Sequence, residues 1–219
     1  VFVLIWYLMM KRERRAINVS SFASNPVQLR LSDSRLRRMC PNLYPTTGLS
    51  GFFRCFFFDG LGTREYIRDM LVHGDSRAAV VISTDPLLVA SYCDDSDAVC
   101  VLGFEPNEVG GRQFEVGDRL LTVLISFVVE GSAQPGDIAA DLIQGHGAKP
   151  NYVNFWPLIA DFLSDDAADI EQRKANIAAS EYARCQSFGE VHLRRLPGQV
   201  RDGRPDRSRY PARASGSAR

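Results

Sequence analysis

Residues 77–104 read RAAVVISTDPLLVASYCDDSDAVCVLGF: three short apolar runs separated by Thr84-Asp85-Pro86 and by Asp94-Asp95-Ser96-Asp97. The lengths of RAAVVIS (77–83), LLVASYC (87–93) and AVCVLGF (98–104), with their β-branched content, fit strands. The DDSD tetrad is short enough to close a hairpin, which sets residue 93 opposite 98 and residue 91 opposite 100. A fourth run, RLLTVLISFVV (119–129), is apolar apart from Arg119, Thr122 and Ser126 and lacks clean alternation, as in a central strand buried on both faces. Links mostly too short for a crossover helix make this sheet antiparallel.

Helices flank the strands. In GLGTREYIRDMLVHG, Thr63 is a plausible N-cap; Tyr66, Ile67, Met70 and Leu71 share one face, and His73-Gly74 supplies a stop. FWPLIADFLSDD reads as a short helix with Pro157 in its first turn. DAADIEQRKANIAASEYARCQSF is the longest helical pattern, with acidic residues crowding its N-terminal end. The expected fold class is α+β: a small, mostly antiparallel sheet of about four strands (77–83, 87–93, 98–104, 119–129). An N-terminal helix (64–73) and two C-terminal helices (157–164, 166–187) cover one of its faces.

The zero net charge conceals a basic–acidic–basic layout. Residues 1–60 hold nine Arg/Lys against three Asp/Glu, residues 61–200 eleven against twenty-one, and residues 201–219 six against two. This predicts three segments: a poorly packed N-terminal extension (1–60) that is not part of the native protein, a single domain (61–200), and a disordered Arg/Pro/Gly/Ser tail (201–219). The chain opens with ten apolar residues, Val1 to Met10, followed by KRERR. Ten residues are about half of a membrane span, and a secretory signal carries its positive charges before the apolar stretch. The expectation is a cytoplasmic protein with no transmembrane segment as written; the alternative is membrane association, if residues 1–10 end a longer apolar span.

No residue pattern declares an activity. Five cysteines at irregular spacing do not form a disulfide framework, and none pairs with a histidine at zinc-ligand spacing. Dinucleotide and phosphate-loop fingerprints are missing, so no cofactor is expected. Asp94, Asp95 and Asp97 could offer oxygen ligands to a hard cation, but Val99 and Cys100 break the calcium-loop pattern, and a solvated turn accounts for the acids. Cys93 and Cys100 are diagonal neighbours across the hairpin, which suits buried thiols better than a bridge. His146, between Gly145 and Gly147, is the best catalytic candidate: flanking glycines let a backbone approach a ligand closely. A hydrolase reading places a site around His146 and the 130–157 loops and would pair His146 with Cys93, Cys100 or Cys185. Tyr152, Phe155 and Trp156 are the candidates for a binding edge, with burial as the competing account.

The leading expectation is a non-catalytic binding or regulatory module whose acidic surface meets a protein partner with a basic surface. The enzyme around His146 is the first alternative. A weak nucleic-acid binder using the basic tail is the second; no specific nucleic acid is expected, because an acidic body repels a polyanion.

Overall fold

The computed structural model describes residues 17–19, 28–44 and 60–211; the runs at 1–10 and 52–58 lie outside the described residues. In chain order the elements are β1 (Ile17–Val19), α1 (Asp33–Met39), α2 (Gly60–His73), β2 (Asp75–Thr84), β3 (Leu87–Cys93) and β4 (Ala98–Phe104). Then follow β5 (Arg119–Val128), β6 (Ile143–Gln144), β7 (Tyr152–Ile159), α3 (Ala160–Leu163), α4 (Ala167–Ala175), α5 (Ala179–Arg195) and β8 (Arg201–Asp202). The class is α+β, and the four expected strands are present.

The β3–β4 hairpin has the expected register, Cys93 opposite Ala98 and Ser91 opposite Cys100. The sheet is larger than four strands. β7 pairs β5; β5 pairs β2, with β1 continuing along the same strand; β2 pairs β3, β3 pairs β4, and β4 carries the short β6 and β8. All pairings are antiparallel except β4 with β8.

Alternation divides the core. Ala78, Val80, Ile82, Leu88, Ala90, Tyr92, Val99 and Val101 pack with Tyr182 and Cys185 of α5. Ala79, Val81, Val89, Cys93, Cys100 and Leu102 join a larger cluster with Leu29, Leu36, Ile67, Met70 and Leu71. Helices therefore lie on both faces of the sheet rather than one.

Three expectations about the helices are corrected. The stretch 157–164 is not a helix: Tyr152–Ile159 forms a strand, and only Ala160–Leu163 turns helical. Pro157 is tolerated because β7 is a border strand among the described residues, paired there with β5 alone. The helix expected over 166–187 is two helices. Ala178 is extended (ψ 141°) between them, and α5 then runs past Gly189 to Arg195. Gly189 does not end the helix; it lets the helix approach the sheet, since a Cβ there would lie 2.7 Å from Ala90 Cβ. Likewise α2 begins upstream of Thr63, at Gly60.

The flanks also differ from expectation. Leu29, Leu36, Met39, Cys40, Leu43 and Tyr44 are buried in the main core. Each large apolar side chain buried this way contributes roughly 1.5–3 kcal/mol, so residues 28–44 are part of the folded unit rather than a loose extension. The start of the basic tail is equally integrated. Arg201 in β8 is fully buried and makes two bonds to the carboxylate of Asp141 (2.7 and 2.9 Å). It also donates to Phe155 O (2.9 Å), Asn154 Oδ1 (2.8 Å) and Ser208 O (3.2 Å). One guanidinium thus ties β8, at one border of the curled sheet, to β7, at the other. Composition predicts disorder for this segment; saturating the five donors of Arg201 overrides it.

Candidate functional site

The acidic turn 94–97 spends its carboxylates separately. Asp94 Oδ1 accepts from Arg77 Nε at 2.6 Å, and Asp95 pairs with Lys149. Asp97 is buried with a positive φ of 41°; it accepts from Tyr92 Oη (2.9 Å), the Gly147 amide (2.8 Å) and Arg184. Burial raises the carboxyl pKa of Asp97, but those three donors outweigh it and hold the group below the usual carboxylate range. The turn is thus anchored by ion pairs at all three acids, with Asp94 exposed and Asp97 buried. Among the described residues, no group of three or more His, Cys, Asp or Glu is placed to hold a metal ion.

The glycines around His146 do permit a close approach, but to this chain's own carboxylate. A Cβ at Gly145 would lie 2.2 Å from Asp97 Oδ2, and one at Gly147 would lie 3.0 Å from it. His146 itself is exposed and lines a cleft of about 400 Å³ with Ile143, Arg184, Phe188, Val191 and Arg195. The cysteines proposed for it lie elsewhere. Cys93 is buried with Sγ 3.4 Å from Ser126 Oγ, and Cys100 is buried beside it in the same core. Burial raises both thiols, that of Cys100 to about 12. Cys185 lies under α5, directed at the carbonyls of Ala78 and Ala90, and burial raises it as well. Among the described residues no cysteine lines the His146 cleft.

Of the aromatic candidates, Phe155 is fully buried, and Trp156 Nε1 donates to Pro205 O (3.0 Å) and Ser208 Oγ (3.1 Å). Trp156 also stacks on Tyr66 with ring centroids 5.2 Å apart. Tyr152 is half-buried beneath the Lys149 ammonium. Phe155 and Trp156 are core residues joining β7 to α2 and the 205–208 turn, not an open binding edge.

A different region gathers open acidic surface. Glu105, Glu108, Glu115 and Asp118 fall in the β4–β5 connection, EPNEVGGRQFEVGDR, against two arginines. Two of these acids fold the loop: Glu108 accepts from the Glu105 amide and Asp118 from the Glu115 amide, both at 2.8 Å. The loop flanks two clefts. One, of about 590 Å³, has Leu87, Val109 and Phe114 in its lining, with Glu115, Asp118 and Arg112. The Arg112 guanidinium is turned to the carbonyl of Asp161 at 2.9 Å. The other, of about 730 Å³, joins Leu88, Phe104, Leu193 and Val200 with Glu105, Glu108, Asp202 and Arg204. There Arg204 is bonded to Asp202 and lies 3.8 Å from Glu108. Burial raises the Glu108 carboxyl, opposed by the Glu105 amide and Arg204. Asp85, Glu105, Glu115 and Asp118 make no ion pair with the described residues. Val116, on the same loop, is 60% exposed.

These loop residues were not among the sequence candidates, because EPNEVGGRQFEVGDR reads as a spacer between strands. The detectable signal was its local charge, four carboxylates to two arginines around a phenylalanine. Comparison with protein-family models, with curated proteins and with solved structures gives no match to this chain. Among the described residues, no helix is long and apolar enough to cross a membrane.

Proposed function

We propose that the protein is a non-catalytic binding or regulatory module that receives a basic segment of a protein partner at the acidic end of its sheet. The observation that carries this reading is the set of carboxylates without an ion pair among the described residues, Glu105, Glu115 and Asp118, around clefts with apolar linings. Unpaired acids at a rim attract cations at long range, and the apolar lining supplies area to bury once contact is made. The proposal includes a cytoplasmic setting, which the free cysteines among the described residues, Cys40, Cys93, Cys100 and Cys185, favour. The tail is a poorer candidate for nucleic acid than its composition implies, since Arg201 and Arg204 are committed to Asp141 and Asp202.

The test is calorimetric titration with the peptide GRLRVRG, with GELEVEG as its charge-reversed control. The expected result is saturable binding of the basic peptide, weakened as salt rises from about 0.05 to about 0.3 M, because screening acts on exposed charges. The double variant Glu115→Lys/Asp118→Lys should lose that binding. Equal binding of both peptides, or binding indifferent to the double variant, would refute the reading.

A further inference from the structure

The cleft beside His146 has the opposite charge character. Its α5 wall consists of Arg184, Ser187, Phe188, Val191 and Arg195, spaced as one stripe along the helix. Its second wall is the continuous stretch Ile143, Gln144, Gly145, His146, which contains β6. β6 is the last strand in the sheet order on its side, so among the described residues its outer edge has no strand partner. Ile143, Phe188 and Val191 supply the apolar lining; the Phe188 ring is held edge-on to Tyr92 at 6.5 Å. Among the described residues no carboxylate lines the cleft, although residues 61–200 hold twenty-one Asp/Glu against eleven Arg/Lys. The basic residues are Arg184, half-exposed and anchored by Asp97, and Arg195, exposed and without an ion pair among the described residues. His146 adds a third basic side chain.

We propose that this strand–helix groove binds an extended acidic peptide as an added strand on β6, reading the pattern acidic–x–apolar–x–acidic. The spacing follows from the geometry. Arg184 and Arg195 are eleven residues apart on one helix, about 16 Å at the helical rise. Residues four apart on an extended chain point to the same side and lie about 13 Å apart, a gap that two flexible arginine side chains close. The residue midway between the acids then faces Phe188, Val191 and Ile143. The edge of β6 that has no strand partner among the described residues supplies main-chain hydrogen bonds, the arginines select the charge, and the apolar lining selects the central residue. Charge complementarity selects this occupant: a basic or neutral strand would leave the arginine rim unmatched. The inference is independent of the acidic clefts, which lie along the β4–β5 connection.

The experiment is fluorescence anisotropy on the full chain with a labelled, end-blocked peptide, SETITES, whose only carboxylates are side chains. Expected results are saturable binding and at least tenfold weaker binding of SKTITKS. A version N-methylated at the central residues, which cannot pair as a strand, should also bind at least tenfold more weakly. Arg195→Glu should weaken SETITES at least tenfold and improve SKTITKS. Arg195 is exposed, so an unchanged thermal melt establishes that the variant is folded; if the melt shifts, Arg195→Gln replaces it with the same expected direction. Binding that ignores peptide charge or N-methylation, binding unaffected at position 195, or no saturation would overturn the proposal. So would concentration-dependent self-association that the peptide does not disperse, since the groove would then hold a second copy of this chain.

Discussion

Replacing Arg201 with methionine tests the joint between the two borders of the sheet. The side chains of Arg201 and Asp141 are 0% and 1% exposed, and the guanidinium bonds three further oxygens, on Phe155, Asn154 and Ser208. Methionine matches much of the volume but none of the donors. It takes two charge-assisted bonds from the buried Asp141 carboxylate, and breaking one side of a buried pair costs about 3–5 kcal/mol. At roughly 2–4 °C per kcal/mol for a domain of this size, the melting temperature should fall by about 6–20 °C. The double variant Arg201→Met/Asp141→Leu removes both charges, and replacing a buried pair with apolar groups is far cheaper than breaking it, so at least half of the loss should return. Urea unfolding followed by circular dichroism gives both free energies. A single variant within about 1 kcal/mol of the parent, or a double variant no better than the single, would refute the assignment of Arg201 as the joint.

Three further outcomes are expected. Gly189→Ala should destabilise by about 1–3 kcal/mol in urea unfolding despite alanine's higher helix propensity, because its Cβ meets Ala90 and Ile82 and pushes α5 off the sheet. Burial raises the Asp75 carboxyl to about 6; the like charges of Asp94, Asp95 and Glu181 add to this and Arg77 opposes it. The folded state therefore holds a proton that the unfolded state releases first. Asp75 should accordingly lower stability by an amount on the order of 2 kcal/mol as pH rises from about 4 to about 6, a slope that Asp75→Asn should flatten in urea titrations at each pH. Trp156→Phe keeps the stack on Tyr66 but removes the Nε1 bonds to Pro205 and Ser208. Trypsin should then cut at Arg207 and Arg209 several-fold faster, as read by mass spectrometry.

Legibility followed how local the controlling physics was. The β3–β4 hairpin register was readable because a four-residue turn dictates it. The strand 152–159 was not. Leu158, Ile159, Phe162 and Leu163 have helical spacing, and only pairing with β5 makes Val153, Phe155 and Trp156 strand positions. The break at Asn176–Ala178 was equally hidden, since neither Gly nor Pro marks it. Among the candidate site residues, His146 was correctly placed in an open loop. The purpose of its glycines was not readable, because Asp97 is distant in sequence. The acids of the 105–119 stretch were visible as charge, but much of the apolar lining beneath them, Leu87, Leu88, Phe104 and Leu193, comes from β3, β4 and α5.

By itself, the sequence determined the α+β class, the four principal strands, the β3–β4 register and the helix leading into β2. All of these rest on short-range periodicity and turn chemistry that act within a few residues. Only the tertiary structure decided that residues 28–44 and 201–211 belong to the folded unit, that β7 is a strand, and that Arg201 joins the sheet borders. Those outcomes depend on partners far apart in the chain: a buried arginine or a border proline is costly alone and stable once its hydrogen-bond partners are brought to it.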